Sequence, residues 1–397
     1  MTNRTTKLTL SILVLICLAI LALSLTGVLP SGDGAGTSGS SQTSAGEPAA
    51  GTTGSASASQ ATTAPLVTGP LPVETGEPEP TPALGLRRWP AHSCLPVVRQ
   101  PDLSAYIGKA DETKPLQGIT VILDAGHGGH DGGTSCADSS GRTLIVEKDV
   151  TLAVSLQAQK ILTDYGATVY MTRSGDDWLS VYNRIAQTGK WILDRFIAEL
   201  PGRGYSGEAV AGLLPQLEAM IAINSDAADS GGRGLMLGVG ASADARLLLD
   251  IQNQYPDVVL ISLHCNAYAG DSAVSGLQVY YLTNESNYSK EIEYVQYSNS
   301  ADNPPAYTLY DDTSRQELAM QLRDSILNQF PELKFTGEND LLAGDYAILR
   351  EMNLVSALVE MGFVTSPDDR RILLDPDCQR RIAQGVADAV INYYCGQ

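Results

Sequence analysis

The sequence predicts an α/β protein with a mainly parallel, twisted sheet and helices on both faces. Two observations predict it. Short apolar runs alternate along residues 117–397 with longer segments of helical periodicity, an order typical of strand–helix–strand units. Polar side chains stand where several of the apolar runs end, and functional sites of such sheets form at the carboxyl ends of the strands. We therefore expect a single catalytic domain, interrupted by a helical insertion.

The predicted elements follow one another in regular order. GITVILDAG (118–126) is a buried strand that ends in glycine, and EKDVTLAVSLQAQKILTDYGA (147–167) has the apolar spacing of a helix. The further predicted strands are 167–173, 257–267, 276–283 and 355–363, and the further predicted helices are 314–330, stopped by Pro331, and 380–394.

The segment ahead of this domain has a different composition. Arg4 and Lys7 precede an apolar run from Leu8 to Leu29, which is long enough to cross a membrane and has the positive charge typical of the cytoplasmic side. Residues 1–30 are therefore interpreted as a signal anchor or a signal peptide, with the remainder of the chain exported. Both interpretations stay open, because no clear cleavage site follows the run.

Three further segments complete the predicted organisation. Residues 31–85 are rich in Gly, Ser, Thr and Pro and lack the bulky apolar residues of a core, so we expect a disordered linker. Residues 86–116 form a lead-in segment, and 117–397 form the catalytic domain, with the helical insertion at about 188–250.

Charge and cysteine content exclude some functions. The formal net charge of −19 argues against nucleic acid as a partner, because phosphate binding needs clustered Lys and Arg. No CxxC occurs among the 6 cysteines, so a thiolate zinc site is not expected. Disulfide bonds among Cys94, Cys378 and Cys395 are one option for an exported chain.

Four polar residues form a candidate site. His127, His264 and Glu360 lie at the ends of three predicted strands, and Glu147 opens a helix. Two histidines and a carboxylate are a ligand set of catalytic zinc, and a carboxylate in an apolar strand is costly to bury unless it is paired or catalytic. Each residue alone also has a purely structural interpretation, whereas their joint placement favours a zinc hydrolase. His130 is interpreted as a rim residue.

The sequence resembles a known family at four motifs. LDAGHGGHDGG, VEKDVTLAV, ISLHCNA and ALVEMGFVTSPDD occur in this order, as in the zinc-dependent N-acetylmuramoyl-L-alanine amidases of the amidase-3 type, over roughly 117–394 less one insertion. The resemblance implies that His127, Glu147 and His264 hold Zn²⁺ and that Glu360 is the catalytic glutamate.

The resemblance also implies a substrate and a location. The reaction would be hydrolysis of the amide between the lactyl group of N-acetylmuramic acid and L-alanine of the peptidoglycan stem peptide. The protein would then act outside the cytoplasm, tethered to the cytoplasmic membrane by the N-terminal helix or secreted into the cell wall. A zinc peptidase acting on stem peptides and a non-catalytic wall-binding module are the alternatives.

Several positions depart from the family pattern. Ala125 stands where proline is usual, Cys265 replaces a common alanine, and the acidic stretch 338–340 replaces a basic residue. Cys265 should point away from His264, because neighbouring strand residues face opposite sides. The insertion at about 188–250 is the largest departure. It is interpreted as a helical decoration, a lid over the zinc cleft or a docking surface for a protein activator.

Overall fold

The computed structural model describes residues 113–295 and 303–396, together with 86–90 and the single residues Leu66, Leu71 and Leu103. The expected signal anchor or signal peptide, at 1–30, lies outside the described residues, as do Cys94 and most of the expected linker. Within the described residues, no helix combines the length and the apolar character needed to cross a membrane.

Eight strands and nine α-helices are found in the described part of the chain. The strands are β1 (Thr120–Ala125), β2 (Ser135–Ala137), β3 (Thr143–Val146), β4 (Thr168–Met171), β5 (Val258–Asn266), β6 (Gln278–Tyr281), β7 (Leu341–Ala343) and β8 (Val355–Phe363). The helices are α1 (Glu147–Asp164), α2 (Val181–Glu199), α3 (Leu213–Ile223), α4 (Ala243–Gln252), α5 (Asn284–Val295), α6 (Asp312–Gln329), α7 (Ala347–Arg350), α8 (Pro367–Leu373) and α9 (Pro376–Cys395).

Six strands form the central sheet, in the order β4-β1-β5-β8-β6-β7. Strands β4, β1, β5 and β8 are parallel, whereas β6 runs antiparallel to β8 and parallel to β7. The predicted mainly parallel sheet is therefore confirmed. Strands β1, β5 and β8 are adjacent, so their carboxyl ends lie side by side at one edge, where the candidate site was expected.

Helices cover both faces of the sheet, as predicted. Val121 and Leu123 of β1 contribute to one buried cluster with α1, α6 and α9, while Ile122 contributes to another with α2, α3 and α4. Alternate residues of a strand point to opposite faces, so a continuous apolar run supplies both clusters. Each fully buried aliphatic side chain of this kind stabilises the fold by about 2 kcal/mol.

Side-chain caps determine where several helices begin. The Ser180 hydroxyl accepts a hydrogen bond from the amide of Asn183 at the start of α2, at 3.1 Å. The Asp375 carboxylate accepts one from the amide of Cys378 at 2.9 Å, and Pro376 follows directly. Each such cap contributes about 1 kcal/mol, and proline at the first helical position requires no amide donor.

The insertion, at about 188–250, packs as a layer on the face of the sheet that α2, α3 and α4 cover. Leu217 and Met220 of α3 and Leu248 of α4 are fully buried in the cluster that contains α2. Separating this layer from the sheet would expose that apolar surface to water at a cost of about 25 cal/mol per Å².

The cysteines of the described residues are free thiols. Cys136, Cys265, Cys378 and Cys395 form no disulfide, so the suggested bridge between Cys378 and Cys395 is not formed. The two thiols lie near opposite ends of α9, and a helix rise of about 1.5 Å per residue separates such positions far beyond the reach of a disulfide.

Candidate metal centre

The loop that follows β1 needs unusual backbone conformations. His127 is one of two non-glycine residues with positive φ in the described part of the chain, at 61°, and Gly128 and Gly129 follow at 136° and 58°. A Cβ atom on Gly126 would lie 2.4 Å from the His264 ring. The glycines therefore allow the two histidine side chains to approach each other, which explains why the motif is so rich in glycine.

Two arginines hold this loop against the sheet. Arg184 donates hydrogen bonds to Asp124 Oδ1 at 2.7 Å and to the His127 carbonyl at 2.6 Å. Arg173 donates to the Gly126 carbonyl at 2.8 Å. Burial alone would raise the pKa of Asp124, but Arg184 and a hydrogen bond from Ser262 hold it well below its usual range. The buried pair fixes the carbonyl of His127.

The three predicted metal ligands come together. The Oε1 atom of Glu147 lies 2.9 Å from His264 Nδ1 and 3.2 Å from His127 Nε2. One donor atom from each of the three residues lies within 4.8 Å of the other two. Among the described residues, this is the one group of three or more His, Cys, Asp or Glu side chains with such spacing.

Backbone amides fix the Glu147 carboxylate. Thr134 donates to its Oε2 at 2.7 Å, and Cys265 donates to its Oε1 at 2.9 Å. Burial alone would raise the pKa of Glu147, but His127 and His264 hold it well below its usual range. The carboxylate is thus charged and oriented at the first residue of α1, where a helix favours negative charge.

Asp131 orients the ring of His127. Its Oδ2 lies 2.8 Å from His127 Nδ1, and its Oδ1 accepts a hydrogen bond from the amide of Gly133 at 3.0 Å. Burial lowers the pKa of His127, but Asp131 and Glu147 outweigh it and raise the pKa to about 10. Asp131 was not among the site residues that the sequence predicted. The spacing of four residues from His127 was the available signal.

Glu360 lies beside the three candidate ligands, His127, Glu147 and His264. It pairs in register with His264 on the neighbouring strand, and its Oε2 is buried without a hydrogen-bond partner. Burial raises the pKa of Glu360 to about 7, although His264 lowers it. A carboxylate with this pKa can take up and release a proton near neutral pH.

His130 and Cys265 lie outside this group. The exposed ring of His130 packs at a tilt against Trp178, with centroids 4.6 Å apart, in agreement with a place on the rim. Cys265 packs in the cluster on the first face of the sheet, and burial raises the pKa of its thiol well above the usual value. A neutral thiol facing away from His264 is a poor metal ligand.

A cavity of about 170 Å³ opens beside the two histidines. It has aromatic and apolar walls as well as polar ones, which suits one part of an organic substrate next to the candidate ligands. Sequence reasoning did not identify its further lining residues, which include Trp178, Leu179, Asp226, Tyr346 and Ile348.

Comparison with known proteins places the chain in a family. The family model Amidase_3, described as N-acetylmuramoyl-L-alanine amidase, matches residues 121–198 and 240–392, more than half of the chain. The stretch that it leaves out, 199–239, lies within the predicted insertion. The N-acetylmuramoyl-L-alanine amidase AmiA of Escherichia coli is 24% identical over 274 residues, which are 69% of this chain and 75% of that protein.

Two further similarities cover different shares of the chain. The Probable cell wall amidase LytH of Staphylococcus aureus is 47% identical over 78 residues, 19% of this chain and 26% of that protein. The solved structure of the N-acetylmuramoyl-L-alanine amidase AmiC2 of Nostoc punctiforme has 20% identity and a TM-score of 0.40, and the match covers 70% of this chain and 97% of that one. From the family match, this chain belongs to the N-acetylmuramoyl-L-alanine amidase family Amidase_3.

Proposed function

We propose that this protein is a zinc-dependent cell-wall hydrolase. It cleaves the amide between the lactyl group of N-acetylmuramic acid and L-alanine of the peptidoglycan stem peptide. The observation that carries the proposal is the convergence of His127, Glu147 and His264, with Glu360 on the neighbouring strand. Membership of the amidase family supports the choice of substrate.

The chemistry of the donor set favours zinc. Two imidazole nitrogens and one carboxylate oxygen are a ligand set that catalytic Zn²⁺ uses, whereas Ca²⁺ and Mg²⁺ prefer oxygen alone. A Cβ on Gly133 would lie 2.4 Å from Glu147 Oε2 and 2.5 Å from His127 Cδ2, so the chain leaves the space beside the donors clear. When bound, zinc would supply Lewis acidity toward the scissile carbonyl and lower the pKa of water.

Side chains of the protein transfer the proton and orient the His127 ring. Glu360 takes a proton from the attacking water and passes it to the leaving amine, for which a pKa near neutrality is suited. Asp131 keeps the His127 ring in place, and the cavity beside the histidines receives the substrate. His127 is preorganised by Asp131, and Glu147 by the backbone amides of Thr134 and Cys265, which reduces the cost of reorganisation during the reaction.

The proposed substrate implies a location. Peptidoglycan lies outside the cytoplasmic membrane, so we propose that the catalytic domain acts there. The composition of residues 1–30 supports export and leaves both tethering and secretion as routes. A tether would raise the effective concentration of the enzyme at the wall.

Product analysis tests the proposed bond. Purified peptidoglycan is digested with the wild-type protein, with and without a chelator, and the products are analysed by mass spectrometry. We expect stem peptides with a free L-alanine amino terminus, formed only without the chelator. Cleavage within the stem peptide would instead identify the protein as a peptidase. Binding to the wall without any product would identify it as a wall-binding module.

A further inference from the structure

The insertion contributes to the wall of the catalytic cavity. Asp226 is the one described residue of 199–239 that lines this cavity. The candidate ligands His127 and His264 line it as well. Asp226 lies between α3 and α4, outside the part of the chain that the family model matches. Its contribution to the cavity is therefore a property of this chain's insertion.

Hydrogen bonds hold the Asp226 segment in place. Asp226 Oδ1 accepts from the amide of Tyr182 at 3.2 Å, at the start of α2. Asn224, with φ of 47°, accepts from the amide of Ser180 at 2.9 Å and donates to the carbonyl of Trp178 at 3.2 Å. The carboxylate is thus fixed on the rim of the cavity.

Asp226 brings to this cavity a carboxylate that forms no ion pair of its own; burial raises its pKa, and Arg233 and Arg184 lower it. The carboxylate of Asp124 is paired with Arg184, and that of Asp131 with His127. The carboxylate of Asp226 forms no ion pair within 4.0 Å among the described residues, although Arg233 and Arg184 attract it from farther away. The guanidinium of Arg233 donates to the backbone carbonyl of Asp226 instead, at 2.9 Å.

We propose that Asp226 binds the side-chain ammonium of a diamino acid in the stem peptide. This inference rests on the proposed amidase function and adds a preference within it. An ammonium is a complementary partner for a carboxylate fixed beside a partly enclosed cavity. Cross-linking or acylation converts that ammonium into an uncharged amide. The protein therefore prefers stem peptides with a free side-chain amine to those in which this amine is acylated.

The experiment compares two substrates and three proteins. The substrates are a disaccharide tripeptide with L-lysine at its third position and the same compound with Nε-acetyl-L-lysine. The proteins are the wild type, Asp226→Asn and Asp229→Asn. Asparagine at position 226 keeps the side-chain oxygen that accepts from Tyr182 and removes the charge. Asp229 is an exposed residue of the same insertion that does not line the cavity, so its variant controls for net charge.

For the wild type and Asp229→Asn, we expect kcat/KM for the lysine substrate to be about fivefold higher than for the Nε-acetyl-lysine substrate. A difference of this size is that of an exposed ion pair. In Asp226→Asn the two substrates should be cleaved equally well. Equal cleavage of both substrates by the wild type, or an undiminished preference in Asp226→Asn, overturns the inference and leaves the amidase function intact. Failure of the wild type to cleave either substrate overturns both.

Discussion

The Oδ2 atom of Asp131 lies 2.8 Å from Nδ1 of His127, so the ring that turns Nε2 toward Glu147 is held at its other nitrogen. A carboxylate in this place fixes the orientation of a metal-binding histidine and increases its basicity. The glycine-rich loop therefore supplies both a candidate ligand and the group that positions it.

Replacing Asp131 with alanine should weaken zinc binding. The ring of His127 loses its fixed orientation, and removal of such a partner reduces metal affinity about 10- to 100-fold. Competition with a chromophoric chelator measures the dissociation constant. Asp164→Ala is the control, because Asp164 forms an exposed ion pair with Lys160 at the end of α1. An unchanged dissociation constant in the Asp131 variant would show that the hydrogen bond does not position the ring.

Gly133→Ala and Gly141→Ala separate backbone strain from contact with the site. Both glycines have positive φ, at 66° and 82°, so alanine is strained at either position. Only at Gly133 would the new Cβ meet Glu147 and His127, whereas Gly141 has no atom within 4 Å of that position. We expect both variants to lose stability on thermal unfolding, Gly133→Ala by more because of this close contact, and zinc affinity to fall, by about tenfold, in Gly133→Ala alone. Equal zinc affinity in the two variants would contradict this.

Glu360→Gln should remove hydrolysis and retain the metal. Glutamine preserves the shape of the side chain but cannot accept the proton, which typically costs a factor of about 100 or more in rate. Turnover of a muramyl peptide and zinc content per protein molecule are measured together. Glu338→Gln, at an exposed position ahead of β7, serves as the control. Substantial hydrolysis by a zinc-loaded Glu360→Gln would show that another group accepts the proton.

Glu291 should make the fold less stable as the pH rises. It is 4% exposed, accepts a hydrogen bond from the amide of Gly240 at 3.2 Å, and has a buried Oε2 without a partner. Burial raises the pKa of Glu291 from 4.5 to about 8. The stability that the protonated carboxyl contributes is therefore fully present below pH 4.5 and is lost as the pH rises through about 8.

Glu291→Gln removes this dependence, because an amide has no proton to lose in that range. We expect the variant to be more stable than the wild type near pH 8, on the order of 2 kcal/mol, and to match it near pH 4. Urea unfolding at a series of pH values gives the difference. A difference in stability between the two proteins that stays constant across the series would mean that Glu291 does not titrate in this pH range.

The sequence predicted the central part of the fold because its signals are strong there. The runs 257–267 and 355–363 are largely apolar, which is typical of a strand covered on both faces, and they correspond to β5 and β8 of the sheet. The hairpin of β2 and β3 and the short strand β7 were not predicted. They span only 3 or 4 residues each, and such short segments give no clear periodicity.

The candidate ligands could be predicted from the sequence because strand ends converge in parallel sheets. His127, His264 and Glu360 each follow or end such a run, and the structure brings them together with Glu147. The residues that support the candidate site could not be predicted from the sequence in this way. Arg184 reaches the His127 carbonyl from α2, and Asp226 reaches the cavity from the insertion. Their contacts depend on how distant helices pack, which periodicity does not determine.

The central claim is that His127, Glu147 and His264 bind one metal ion next to Glu360. Anomalous diffraction from crystals of the protein grown with zinc, recorded on both sides of the zinc absorption edge, tests it most directly. We expect one strong peak surrounded by the side chains of these three residues, and no such peak in crystals of the Glu147→Ala variant. A wild-type crystal that places its zinc elsewhere, or shows none between these side chains, would contradict the account.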